Sequence, residues 1–239
     1  GFGVYVLGRD ELLMDVVTSV NIACGFHAGD ATVMRRTVDL AIKKKVAIGA
    51  HPGYPDLQGF GRREMDLSFE EVFDIVIYQV GALTAFVKAA GGILHHVKPH
   101  GALYNRATRD SRLARSIAQA ICSIDKNLIL VGLSGSCLVS EGRALGLRTA
   151  NEAFGDRTYQ DDGNLTPRRS ANAMIEDPKV AAEQALQIVK DKNITCVTGA
   201  RIPMQADTLC VHGDGRMATE HATAIASYLR KHGVAIKSF

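Results

Sequence analysis

What most constrains this chain is a recurring unit: a short apolar run, a polar turn, then an amphipathic helical pattern. Val20 to Cys24 reads as a strand ending in Gly25-Phe26-His27-Ala28-Gly29-Asp30. Asp30 is placed to cap a helix to Lys44, with Val33, Thr37, Leu40 and Ala41 on its inner face. Val46 to Ala50 is the next strand, followed by His51-Pro52-Gly53. Ser68 and Glu71 have capping-box spacing and open a long apolar helix to about Ala90. Ile93 to Lys98 is a strand that Pro99 ends, and Asp110 starts a helix with Leu113, Ile117 and Ile121 on one face. Leu128 to Leu133 is continuously apolar, as in a strand covered on both faces. After Leu147 to Ala150 comes an irregular stretch, 155–175, and then Asp177-Pro178, a cap and first-turn proline for a helix to Lys190. Ile194 to Val197 reads as a short strand. Thr208 to His212 is a firmer one, with a last helix to about His232.

Strands that alternate with helices specify an α/β fold with a parallel sheet. No linker or composition break interrupts 1–239, so a single domain is expected. Two architectures compete. An open doubly wound sheet gathers its site at one switch point. A βα barrel brings several strand ends to one mouth, and here polar residues close strand after strand, which favours the barrel.

Bulk properties remove several classes. Hydrophobic residues at 46% and charged residues at 22% suit a globular chain large enough to do without disulfides. The net charge of +3 comes from dispersed Lys and Arg, and the Lys43 to Lys45 cluster reads as a solvated helix end, so nucleic acid is not an expected partner. The five cysteines stand singly, which points to reduced thiols and a cytoplasmic setting. Cys24 and Cys210 lie in apolar runs and are expected as buried core thiols. No stretch reads as the roughly 20 apolar residues of a membrane span. The opening Gly1-Phe2-Gly3-Val4-Tyr5 has neither the basic nor the apolar region of a signal peptide.

Chemistry concentrates at the strand ends. In the run from His95 to Asn105, alternation puts His96, Lys98 and His100 on one face and turns His95 away. An enclosed Lys98 could orient an anion or move a proton. His212-Gly213-Asp214 repeats the arrangement of His27 and Asp30, a His at a strand end and an Asp before a helix. Either Asp also has a plain capping role open to it. His51 is a third strand-terminal imidazole, in a loop stiffened by proline. Glu152, Asp156, Arg157 and Arg168 lie in polar loops after a further strand, where an Arg could grip a carboxylate with two prongs. Gly132 to Ser136 lacks phosphate-loop spacing and reads as a strand-to-helix turn. Two chemistries remain open. His27 and His51 with a carboxylate could hold a divalent cation, although no close ligand spacing occurs. Alternatively, His and carboxylate shuttle protons while Lys or Arg steadies negative charge, without a metal.

Five blocks together resemble the family of 5-oxoprolinase A subunits, also called LamB/YcsF: Val20–Asp30 (VNIACGFHAGD), Ala47–Asp56 (AIGAHPGYPD), His96–Asn105 (HVKPHGALYN), Glu152–Arg157 (EAFGDR) and Leu209–Asp214 (LCVHGD). The resemblance implies an incomplete, seven-stranded parallel βα barrel related to glycoside hydrolases and polysaccharide deacetylases. It also implies ATP-dependent opening of the 5-oxoproline lactam to L-glutamate, with ATP as co-substrate and two other subunits as partners. Family members begin with a strand reading roughly D-L-N-x-D-x-G-E. No such strand precedes Gly1 here, so the first barrel strand is expected to be missing.

On that reading Lys98, His100, His212, Asp214 and Asp156 are the catalytic candidates. His27, Asp30, His51, Asn105, Glu152, Arg157 and Arg168 are candidates for binding substrate. The competing functions are a metal-dependent amide hydrolase of the same fold and a non-catalytic subunit that binds a small acid. A sugar-binding module is disfavoured, because the chain has no Trp to stack on a sugar face.

Overall fold

The computed structural model describes residues 10–213 and 217–239. Its elements are α1 (Asp10–Leu13), β1 (Ser19–Ala23), α2 (Ala31–Lys44), β2 (Ala47–His51), α3 (Phe69–Ala89), β3 (Leu94–Val97), α4 (Gly101–Ala107) and α5 (Ser111–Ile124). They continue with β4 (Ile129–Leu133), α6 (Cys137–Ala144), β5 (Arg148–Phe154), α7 (Pro178–Asp191), β6 (Asn193–Thr195), β7 (Arg201–Pro203), β8 (Thr208–Cys210) and α8 (Ala218–Lys231). The main sheet has the order β1-β2-β3-β4-β5-β8, which is chain order. The pairings β1/β2, β2/β3, β3/β4 and β5/β8 are all parallel. A doubly wound sheet must reverse its order at a switch point, and this one does not. The sequential winding is that of βα-barrel strands.

The chain divides into two compact units. Of the described residues, one holds 19–132 and 136–150; the other holds 10–18, 133–135, 151–213 and 217–239, so that β5 begins in the first and continues into the second. In the first unit the expected caps are present. Asp30 accepts from the N–H groups of Thr32 and Val33, and Ser68 and Glu71 form both bonds of the capping box. The buried face of α2 is centred one residue from the expected stripe, on Met34, Val38 and Ala41, and Val33, Thr37 and Leu40 flank it half-buried. On α5, Leu113, Ile117 and Ile121 are buried as their spacing demands, and α5 packs on α3. Each such fully buried side chain contributes about 1.5–3 kcal/mol.

Helix α3 corrects one expectation. Its 21 residues have a mean hydropathy of 1.5 over the most apolar window, enough by length and composition alone to cross a bilayer. The stripe Val72, Val76, Val80, Leu83 and Val87 is fully buried. Between Pro99 and Asp110 the chain makes the short helix α4, which the sequence pattern did not suggest.

In the second unit α7 and α8 meet over Ala181, Ala182, Ala185, Ile225 and Leu229, where the alanines let the backbones approach. The strand expected at Ile194–Val197 lies instead in a separate antiparallel hairpin, β6 with β7. The extended segment before the irregular stretch does not stop at Ala150, because β5 runs on through Asn151, Glu152 and Ala153 to Phe154. All five cysteines are free. Cys24 is buried as expected, whereas Cys210 is only half-buried.

Candidate active site

Strand register assembles the first group of imidazoles. The parallel ladder of β2 and β3 continues past both strands, with the Lys98 N–H donating to Ala50 O (2.9 Å) and the His100 N–H to Pro52 O (2.8 Å). His51, the last residue of β2, is thereby set beside His100, and their Nε2 and Nδ1 atoms lie 3.0 Å apart. His51 Nδ1 faces Lys98 O at 2.6 Å, and His100 Nε2 faces Phe60 O at 2.7 Å. His27, from the turn after β1, stacks on His100 with centroids 3.9 Å apart and planes 7° from parallel. Gly61 has φ +66, and a Cβ there would lie 2.9 Å from His100 Cδ2 and 3.0 Å from His27 Cβ, so glycine is required against these rings.

Burial keeps His27 and His51 neutral. Desolvation first, then the positive charge of His100 and of Arg62, pushes His27 down to about 2. Desolvation, His100 and Lys98 depress His51 well below the usual imidazole range. Lys98 is buried, with its ammonium 5.7 Å from the centroid of the Tyr104 ring. His96 is buried, like Lys98, and pairs with Asn21 (3.1 Å). A side chain at Gly49 would collide with the His96 ring. Burial, then His95 and Lys98, lowers His96 to about 3.

Two other candidates of this unit take different places. Asp30 caps α2, the plainer of its two roles. Asn105 is exposed on α4 rather than enclosed. The metal reading of His27 and His51 meets a geometric obstacle. Both nitrogens of His51 already face a partner, and the rings of His27 and His100 lie parallel, so their lone pairs do not converge. Among the described residues no group of three or more His, Cys, Asp or Glu side chains could hold a metal ion.

Sequence reasoning missed Gln79 and Phe60. Gln79, fully buried on α3, holds the loop after His51 by accepting from Gly53 N–H (2.9 Å) and donating to Gly53 O (2.9 Å). A polar residue within an apolar helical stripe was the available signal. Phe60 takes part through its backbone carbonyl, which a sequence does not advertise.

The second unit contains a carboxylate–imidazole pair. Asp156 Oδ2 accepts from His212 Nδ1 (2.8 Å) and from the His212 backbone N–H (3.1 Å). Burial pushes the Asp156 carboxyl up, but His212 and the charge of Arg157 outweigh it and hold the group below its ordinary range. A carboxylate on Nδ1–H fixes the tautomer and leaves Nε2 as the basic nitrogen. Glu152 is buried on β5.

Arg157 is not placed as a substrate clamp. It is buried and donates to Ala173 O (3.0 Å) and Thr166 O (2.5 Å), closing the 158–174 excursion, and burial lowers it to about 10. Arg168 is exposed, with its guanidinium 3.8 Å from Met174 Sδ. Asp214 lies outside the described residues. Also missed was Gln184 on α7, whose amide donates to the carbonyls of Phe154, Gly155 and Arg157 and so braces the turn that carries Asp156.

Known proteins resemble the chain over nearly its whole length. The A subunit of a 5-oxoprolinase from Geobacillus kaustophilus is 56% identical over 237 residues, covering 99% of this chain and 92% of the relative. Its counterpart from Tolumonas auensis is 53% identical over 237 residues, covering 99% and 94%. The crystal structure of a lactam utilization protein from Thermus thermophilus superposes with a TM-score of 0.94 at 46% identity, over 100% of this chain and 96% of that one. The sequence profile of the LamB/YcsF family matches residues 1–239, and the chain belongs to that family.

Proposed function

We propose that this chain is the A component of an ATP-dependent 5-oxoprolinase, which opens 5-oxo-L-proline to L-glutamate together with two other subunits in the cytoplasm. The observation that carries the reading is the Asp156–His212 pair, a buried carboxylate that orients a strand-end imidazole. Amide hydrolysis needs such a group to take a proton from water and return one to the leaving nitrogen. The name that the relatives share, as A subunits of 5-oxoprolinase, supplies the substrate. The five cysteines stand singly in the sequence, a pattern that suits a reducing compartment.

Ring opening adds water across the lactam C–N bond. ATP transfers its terminal phosphoryl group to the lactam oxygen and leaves as ADP, which makes the ring carbon electrophilic. Water adds to that carbon, the C–N bond breaks as the nitrogen gains a proton, and a second water releases inorganic phosphate from the resulting acyl phosphate to leave the carboxylate. In the second unit His212 moves the protons and Asp156 holds its tautomer. The strands belong, on this reading, to an incomplete seven-stranded barrel.

The test is release of glutamate from 5-oxoproline by this chain, assayed with and without candidate partner subunits and with and without ATP. Turnover is expected only when all are present. Absence of turnover in every combination rules the reading out.

A further inference from the structure

Helix α3 carries more apolar surface than its own core uses. Val72, Val76, Val80, Leu83 and Val87 fill the inner stripe, yet only 33% of the most apolar window of the helix is buried. A second stripe runs along the outside. Asp74, Tyr78, Gly81, Ala85 and Lys88 are all exposed, and their alternating steps of four and three residues put them on one face. No charged residue falls between Asp74 and Lys88. An acid and a base thus stand at the two ends of this face, and Gly81 lies midway between them. We propose that the face seats a second copy of the chain, with α3 packed antiparallel on α3 about a two-fold axis at Gly81.

Charge chooses both the occupant and its direction. A two-fold axis at Gly81 brings Asp74 opposite Lys88 of the second copy, and does so twice, because an isologous contact repeats itself. A parallel pairing would set Asp74 against Asp74 and Lys88 against Lys88. Neither side chain makes an ion pair among the described residues, so the charge of each is available to a partner. The middle of the face is small. A Cβ built at Gly81 would meet nothing within 4 Å, and Ala85 falls opposite Ile77 of the second copy, so the two backbones can come close. Tyr78 gives the face an anchor. It is 65% exposed although its ring stacks on Phe26, with centroids 5.2 Å apart, and that stack orders it before any partner arrives. Paired in this way, the apolar stripe leaves water and the charged ends stay at the rim, as in a specific interface. The inference stands apart from the ring-opening reading and needs nothing from it.

Sedimentation velocity of the full chain at rising concentration tests it, and a reversible monomer–dimer equilibrium is expected. Gly81→Arg adds bulk on the axis where the chain's own atoms leave room. It should abolish the dimer and raise, rather than lower, the unfolding midpoint of the monomer, since glycine is a poor residue in a helix interior. Lys88→Glu alone, or Asp74→Lys alone, should raise the dissociation constant about tenfold, because each sets like charges opposite one another at both ends. The two substitutions together exchange the ends and should restore the original affinity. A chain that stays monomeric up to its solubility limit overturns the proposal. So does a dimer that Gly81→Arg leaves intact, or a double variant that binds no tighter than the single ones. If the chain is monomeric and Gly81→Arg instead blocks binding to candidate partner subunits, or to phosphatidylcholine vesicles, the face belongs to that other partner and the proposal fails.

Discussion

Asp156 receives His212 twice through one carboxylate oxygen, from the ring at 2.8 Å and from the backbone N–H at 3.1 Å, so the strand end and the imidazole are fixed by the same atom. Replacing Asp156 by Asn keeps the size but offers an amide where Nδ1–H needs a carboxylate. Glutamate release is expected to fall by about 10²–10⁴-fold. His212→Ala should cost a similar factor, and the double variant little more than either alone, because the two act as one unit. Additive losses in steady-state kinetics would separate their roles.

Gly61→Ala puts a methyl group against both His27 and His100 at a residue with φ +66. Strain and the displaced rings are expected to lower stability by at least about 1 kcal/mol and to depress kcat well beyond what that loss explains. Urea unfolding and kinetics on the same preparation check the two effects separately.

Gln79→Leu leaves the Gly53 N–H and carbonyl without their amide partner in a buried place. Each unmet group costs about 1–3 kcal/mol. The loop after His51 loses its tether to α3, so a raised KM should accompany the lower unfolding midpoint.

Ser68→Ala removes one half of the capping box of α3. The expected cost is about 0.5–2 kcal/mol in chemical unfolding, with kinetic constants unchanged.

Buried neutral imidazoles make the fold acid-sensitive. His96 is lowered from 6.5 to about 3. Below the upper value the unfolded chain binds a proton that the native ring refuses. Its contribution is therefore complete above pH 6.5 and is lost as pH falls toward about 3, at up to roughly 1.4 kcal/mol per pH unit. His27, lowered to about 2, acts in the same direction. Asp56 and Asp156, held below 3.8, add their losses only at the lower end of that range. His96→Gln should flatten the fall in unfolding free energy between about pH 6.5 and 5 by roughly one proton's worth of slope.

Much of this was written locally. Asp30, Ser68 with Glu71, Asp110 and Asp177 cap the helices they were expected to cap, because a cap needs only neighbours two or three residues away. Four-residue spacing put Leu113, Ile117 and Ile121 on the buried face of α5, since side-chain period is a property of the helix itself. The half-buried state of Cys210 and the one-residue rotation of the buried face of α2 were not readable, because burial depends on what packs opposite.

The amino-acid sequence by itself determined the alternation of strands and helices, the caps that bound them and the placing of histidines at strand ends. All of these depend on hydrogen bonds and periodicities that span a few residues. Only the tertiary structure decided what each side chain does there. His51 and His100 meet across 49 positions, His212 and Asp156 across 56, and Arg157 turns inward to carbonyls of its own loop. Those pairings follow from strand register and loop closure, and a shift of one residue in register would turn each strand-borne group to the opposite face.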